Sequence, residues 1–488
     1  MGETSREILR PLQVTKPWGT SDFKRKARMT IAGWNLDQRE GRASQSDLLA
    51  AGKALRTRVP RQSHASYVPS AQRDPLGILN EQNTTRVQEL VPLRMQRMLV
   101  NPFTFYRGAA AIMAADLAGG PITGIRVVSC GDAHISNFGL FASPQRTMVF
   151  DLNDFDEAAD GPWEWDVKRL VASVVISARE SNFSAADIRR AATAAAAGYR
   201  EGLRDMMKLS VLDRLYFRVD TEGENKNLDS ASRKVLKKAT SQARLRTSEA
   251  FVEKISERGP DGRLLLKENP PVLAHVPYTD EVSIFELFEK YRRTVSADIA
   301  QLLSQFIITD VARRVVGVGS VGTRCYIMIL TGPQGESLVL QIKEAQVSVL
   351  QSYGGEAVNP RFLGLETADA PQALRVVSNQ RILQAVSDLF LGHLRFDEKD
   401  FYVRQFRDMK GSIDVSKLTI EPFVTYAVAC GTLLARAHSQ SENAAMISGY
   451  LGSSGAFDDA VVDWSLAYAD QSKADFALLT AANSELAA

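Results

Sequence analysis

Asp132, His134 and Asn137 fall within six residues, and Asp151, Asp154 and Asp156 follow a short apolar run, Met148–Phe150. Carboxylates this dense repel one another unless a cation sits among them. Asp and Asn oxygens are the hard ligands that magnesium takes. The stretch from Gly131 to Leu170 therefore reads as a magnesium-dependent site. Asp132 can accept a proton from an attacking hydroxyl, and Asn137 and a later Asp can hold the metal. Asp151, Asp154 and Asp156 are the candidates for that later ligand. His134 has two readings, loop support through backbone bonds or catalysis. Asp166 reads as the acceptor of backbone hydrogen bonds that order the loop.

A second constellation lies far downstream, at Gly317-Val318-Gly319-Ser320-Val321-Gly322, with Lys343 after it. The bland reading of such glycines is a tight hairpin at positive φ. A dinucleotide-binding fingerprint would sit between a strand and a helix. Here both flanks read as strands, and a third strand, LVLQIKEA, carries Lys343. A glycine-rich hairpin lets the backbone approach phosphates, and a lysine on the following strand neutralises them. Asp132 and Asn137 are five residues apart, the separation of a kinase catalytic loop. Two incomplete motifs thus predict one reaction, phosphoryl transfer from ATP with Mg2+. Arg107 can either reach a phosphate or tie down a buried carboxylate.

Gly131-Asp132-x-His134-x-x-Asn137 resembles the catalytic loop of the aminoglycoside phosphotransferase and choline kinase branch of kinase-like enzymes. Asn153-Asp154-Phe155-Asp156 and Asp166-Val167-Lys168-Arg169-Leu170 resemble that branch's metal-binding Asp and the helix-opening Asp beyond it, which favours Asp154 over Asp151. The resemblance gives His134 a supporting role. PFTFYRGAA, GDAHISNFG, FDLNDFDE, VGVGSVGTRCY and YVRQFRDMKGS are similar to segments of an uncharacterised bacterial family, domain-of-unknown-function family 2252. In a kinase the glycine loop and lysine precede the catalytic loop, whereas here they follow it. A circular permutation accounts for the order, and Cys430–His438 resembles the helix that normally runs into the catalytic loop. The permuted arrangement predicts that Lys343 lies near Asp154. No carboxylate falls between Leu374 and Ser387 to pair with Lys343, so either Glu344, Glu356 or Glu366 substitutes or Lys343 is held otherwise.

The elements that must position these groups read as a mixed set. Ile125–Ser129, Thr147–Phe150 and Phe401–Phe406 have strand character. Asp166–Ala178, residues 184–209 behind an N-cap at Ser184, residues 372–391 and Pro422–His438 have helical length and an apolar face. Asn83–Met98 reads as a helix kinked or split at Pro92, Phe103–Leu117 as strand then helix, Ser283–Val311 as long helices, and Lys53–Arg61 as a short helix ended by Pro60. The expected fold is α+β and two-lobed, protein-kinase-like and circularly permuted. Residues 1–75 form a partly disordered extension, 76–310 the catalytic domain, 311–411 the nucleotide-binding domain, and 412–488 helices that pack back on the first.

With 488 residues, 45% hydrophobic and 24% charged, the composition is that of a soluble globular protein. A net charge of +2 carries no nucleic-acid-binding excess. Three scattered cysteines offer neither a disulfide framework nor zinc spacing. No secretory signal and no membrane span is expected, so the setting is cytoplasmic. The expected partners are a nucleotide and a small-molecule or protein acceptor hydroxyl. Transfer of a nucleotidyl group, and a nucleotide-binding pseudokinase that scaffolds a partner, are the alternatives.

Overall fold

The computed structural model describes residues 43–221, 228–260, 263–275, 281–356, 371–406 and 408–484. Glu366 and Arg407 lie outside the described residues.

Among the described residues five α-helices precede the first strand: α1 (Gln45–Arg58), α2 (Pro75–Thr84), α3 (Val91–Met98), α4 (Pro102–Gly108) and α5 (Ala110–Ala118). Ser44 caps α1 and Asp74 caps α2, each accepting a backbone N–H of the first turn. The helix expected over Asn83–Met98 is split, because Pro92 opens α3, where its missing N–H costs nothing. Phe103–Leu117 is two helices rather than strand and helix. Asn101 and Thr104 form a reciprocal cap with Pro102 between them, which nucleates α4 despite its aromatic residues.

The next segment is β1 (Arg126–Ser129), β2 (Phe138–Ala142), β3 (Met148–Leu152) and β4 (Ala159–Pro162), followed by α6 (Trp163–Glu180) and α7 (Ala185–Met206). β1 pairs antiparallel with β4, and β2 with β3. Helix α6 is buried on all sides from Trp163 to Ala178, so even Glu164, Asp166, Lys168 and Arg169 lie inside. It is the central strut of the largest core. Then come α8 (Val211–Tyr216), α9 (Ser230–Arg244), α10 (Ser248–Ile255), β5 (Ser256–Arg258), β6 (Leu264–Leu266), β7 (Leu273–Ala274), α11 (Glu281–Arg292) and α12 (Ala297–Leu303).

A six-stranded antiparallel sheet occupies the next part of the chain. It contains β7, β8 (Ile307–Arg314), β9 (Cys325–Thr331), β10 (Ser337–Glu344), β11 (Gly392–Phe396) and β12 (Lys399–Gln405), in the order β11-β12-β10-β9-β8-β7. The helical reading of Ser283–Val311 therefore ends too late. Ile307-Ile308-Thr309 is β-branched, and β8 pairs with β9. Alternation gives the sheet two apolar faces. Met328, Leu330, Leu338, Leu340 and Val403 pack under α11 and α12. Ile327, Ile329 and Val339 pack against Phe251 and Val252 of α10. Among the described residues, α13 (Val349–Ser352) and α14 (Gln372–Leu383) interrupt the strands, the latter ending before the expected 391.

The chain closes with α15 (Ile420–His438), α16 (Ala444–Leu451) and α17 (Ala456–Ala482). Helix α15 lies along α7 at very short range. A Cβ at Gly431 would collide with the Ala195 carbonyl, so small residues set this crossing. Early and late segments thus share one core with β1–β4. Helix α1 docks on α16, where Arg56 donates to the Gly449 and Tyr450 carbonyls at 2.6 and 2.8 Å. The fold is α+β. Among the described residues no helix is long and apolar enough to cross a membrane, and the three cysteines are free and buried.

Candidate active site

The loop after β1 turns at Gly131, whose φ is +77° and where a Cβ would strike the Glu157 carbonyl. Only glycine fits there. Asp166 holds the turn from below, accepting from the Cys130 and Gly131 N–H groups at 2.6 and 2.9 Å. His438, the last residue of α15, shares a 3.0 Å hydrogen bond with the same carboxylate and a 2.8 Å bond with the Tyr199 hydroxyl. A buried chain, Tyr199–His438–Asp166, therefore ties three helices to the loop.

The loop then folds on itself. Its Asp132 carbonyl accepts from the His134 N–H at 2.8 Å and from Asn137 Nδ2 at 2.6 Å. With its amide nitrogen spent, Asn137 has its Oδ1 left for a ligand. Asp132 Oδ1 accepts from Arg169 Nε and Nη2 at 2.8 and 2.7 Å. Arg169 is itself fixed over the Tyr106 ring, 3.9 Å from its centroid. The Asp132 Oδ2 atom has no hydrogen bond among the described residues; His134 Nε2 lies 3.9 Å away. Burial pushes the Asp132 carboxyl above its ordinary range, and the Arg169 guanidinium offsets this only in part. The His134 ring is pushed well below its ordinary value by burial and by Arg107 and Arg169, so it is neutral.

The sheet supplies the opposite wall. Alternation along β10 sends Lys343 to the same face as Val339 and Gln341, and register sets it between Cys325 and Tyr402. Its ammonium donates to Asp156 Oδ2 and, at 3.2 Å, to Ser320 Oγ. Tyr402 donates to the other Asp156 oxygen at 2.7 Å. Burial alone would lower the Lys343 pKa, but the Asp156 carboxylate outweighs it and raises it. Burial likewise opposes the charge on Asp156, and Lys343 more than restores it. The glycine loop joins β8 to β9, with φ of +70° at Gly317 and +89° at Gly322. Arg97 and Arg86 anchor it by donating to the Gly317 and Val321 carbonyls, each at 2.6 Å.

One cavity of about 700 Å³ separates the two walls. Arg107, Asp132, His134, Asn137, Asp154 and Asp156 line it from one side, and Gly317, Gly319 and Ser320 from the other. Gly322 and Lys343 stand behind this surface, Gly322 against the Arg86 side chain and Lys343 beneath Asp156 and Ser320. Asp154 presents a buried Oδ1 with no hydrogen-bond partner. Asp151, another of the metal candidates, is not among the residues that line this cavity. It points into the core, and its two oxygens accept from the Leu152 and Ala385 N–H groups at 2.9 and 2.8 Å. Among the described residues no group of three His, Cys, Asp or Glu side chains forms a ready-made metal cage.

Of the two readings for Lys343, a substitute glutamate or another hold, the described residues show the other hold. Glu344 binds Arg324 at 3.2 Å and Glu356 binds Arg126, while Lys343 takes Asp156. The sequence reading passed over Arg169 and Tyr402. Arg169 carried a signal, since it lies three residues after Asp166 and so near it on one helix. Tyr402 carried none, because cross-strand register is invisible in a single strand.

A family model described as "Uncharacterized protein conserved in bacteria (DUF2252)" matches residues 86–482. The chain belongs to this family. The matched span of the DUF2252 chain runs from Arg86, which anchors the glycine loop, past Asp132, Lys343 and His438. The candidate site residues of both walls thus lie within the matched span. No curated protein and no solved structure matches the chain.

Proposed function

We propose that the chain is an ATP- and Mg2+-dependent phosphotransferase with a two-lobed, protein-kinase-like and circularly permuted fold. Its acceptor is a hydroxyl of a small molecule or of a protein. The observation that carries the reading is convergence: Asp132, Asn137 and Asp154 share one cavity with a glycine loop from a distant part of the chain. Residues 76–310 with 412–488 then correspond to the catalytic lobe, and 311–411 to the nucleotide lobe.

In this scheme Asp132 takes the proton of the acceptor hydroxyl through Oδ2, while Arg169 holds Oδ1. Asn137 Oδ1 and Asp154 would hold the metal. The unpartnered Asp154 oxygen fits that role, and magnesium needs only one or two protein ligands when phosphates supply the rest. Bound Mg2+ supplies charge neutralisation at the phosphates. The backbone of Gly317–Gly322 covers them, and Lys343 places positive charge beneath the loop. Asp156 is engaged by Lys343 and Tyr402, so it positions the two walls rather than serving as the leading metal ligand. His134 and Asp166 support the loop.

The test is ATP turnover with mass spectrometry of the modified acceptor. The wild type is expected to add one phosphoryl group. Asp132→Asn is expected to turn over about 10²–10⁴-fold more slowly with unchanged nucleotide affinity. Equal turnover by the two proteins would remove Asp132 from the chemistry, and a nucleotidyl adduct would replace the reaction assigned.

A further inference from the structure

Among the described residues, the other arginines around the cavity are engaged. Arg169 holds Asp132, Arg86 and Arg97 hold the glycine loop, and Arg324 holds Glu344. Arg107 differs. It stands at the end of α4 and lines the cavity, and its Nε is sealed from solvent without a hydrogen bond. Among the described residues no carboxylate forms an ion pair with it. Asp132 and Asp154 are the opposite charges that it senses. A sealed Nε without an acceptor is unfavourable, and the planar fork of donors that Arg107 brings to the cavity matches a phosphoryl group.

The backbone fixes where that fork enters. A Cβ built on Gly319 would lie 3.3 Å from the Arg107 carbonyl and 3.7 Å from the Gly108 Cα. The tip of the glycine loop therefore rests on the residue that carries the guanidinium. Arg107 opens into the cavity between this tip and the Asp132–Asp154 side. Phosphates beneath the loop would meet it at the end that faces the acceptor.

We infer that Arg107 binds the terminal phosphoryl group of the nucleotide, the group to be transferred. The inference rests on the nucleotide reading above and adds a residue to it. A nucleotide that lacks the terminal phosphate gains nothing from Arg107, which separates this role from general attraction of anions.

Isothermal titration of the full chain with Mg2+–ATP and Mg2+–ADP tests it, using wild type, Arg107→Gln and Arg107→Lys. Arg107→Gln is expected to weaken ATP binding about tenfold or more while ADP binding stays close to wild type. Arg107→Lys, which keeps the charge but loses the fork, is expected to fall between. The ATP-to-ADP affinity ratio is taken within each protein, so a reduced folded fraction cancels. An unchanged ratio in Arg107→Gln, with the wild type binding both nucleotides, would overturn this inference alone. A wild type that binds neither nucleotide would overturn the nucleotide reading and this inference with it.

Discussion

One oxygen of Asp132 is spent on Arg169 and the other is not, and this asymmetry sets what the carboxylate can do. A base must be deprotonated to act. Burial raises the Asp132 pKa and Arg169 lowers it, so the net upward shift is a balance of the two. Activity should therefore fall as pH drops through a value above the ordinary aspartate range. Removing the counter-charge with Arg169→Gln should raise the pKa further. The acid limb of kcat/KM against pH is expected to move up by about one to two units. A limb that stays in place would show that Asp132 is not the group titrating. His134 does not compete for this role, because burial and the nearby Arg107 and Arg169 charges push its pKa well below the ordinary value and make its ring a poor proton acceptor.

Between elements, one buried link is invisible in the sequence. Lys343 on β10 and Asp156 after β3 join the sheet to the loop side of the cavity. Lys343→Met leaves the half-buried Asp156 without its counter-charge and with only the Tyr402 hydroxyl on it, and is expected to cost about 1–3 kcal/mol in chemical denaturation. Lys343→Met with Asp156→Asn should recover part of that loss, because the uncompensated charge goes as well. Strictly additive losses would mean that the two side chains do not interact. What could be read from sequence follows the same division. Helices α6, α7 and α15 and strands β1, β3, β10 and β12 were legible, since each has a consistent period and end signals such as Ser184. Phe103–Leu117 misled because its aromatic start has strand propensity, while the Asn101–Thr104 cap decides for helix. Asp156 as the lysine's partner and Tyr402 beside it depend on a tertiary approach and a strand register, neither of which leaves a periodic trace.

At the scale of the whole molecule, the order of the chain and the layout of the site differ. The loop of Asp132 comes early, the glycine loop late, and α15 last of the three. Yet α15 ends in His438 against Asp166, and the glycine loop rests against Arg107. The circularly permuted, kinase-like fold proposed above would account for this arrangement, and all three lie within the family match across 86–482. The central claim is that this convergence makes a magnesium-dependent nucleotide site. Thermal unfolding of the full chain with and without ATP and Mg2+ tests it most directly. The account predicts that ATP raises the melting temperature only when Mg2+ is present, and that Asp154→Ala loses the shift while still folding. No shift in the wild type with both present, or an equal shift in Asp154→Ala, would contradict it.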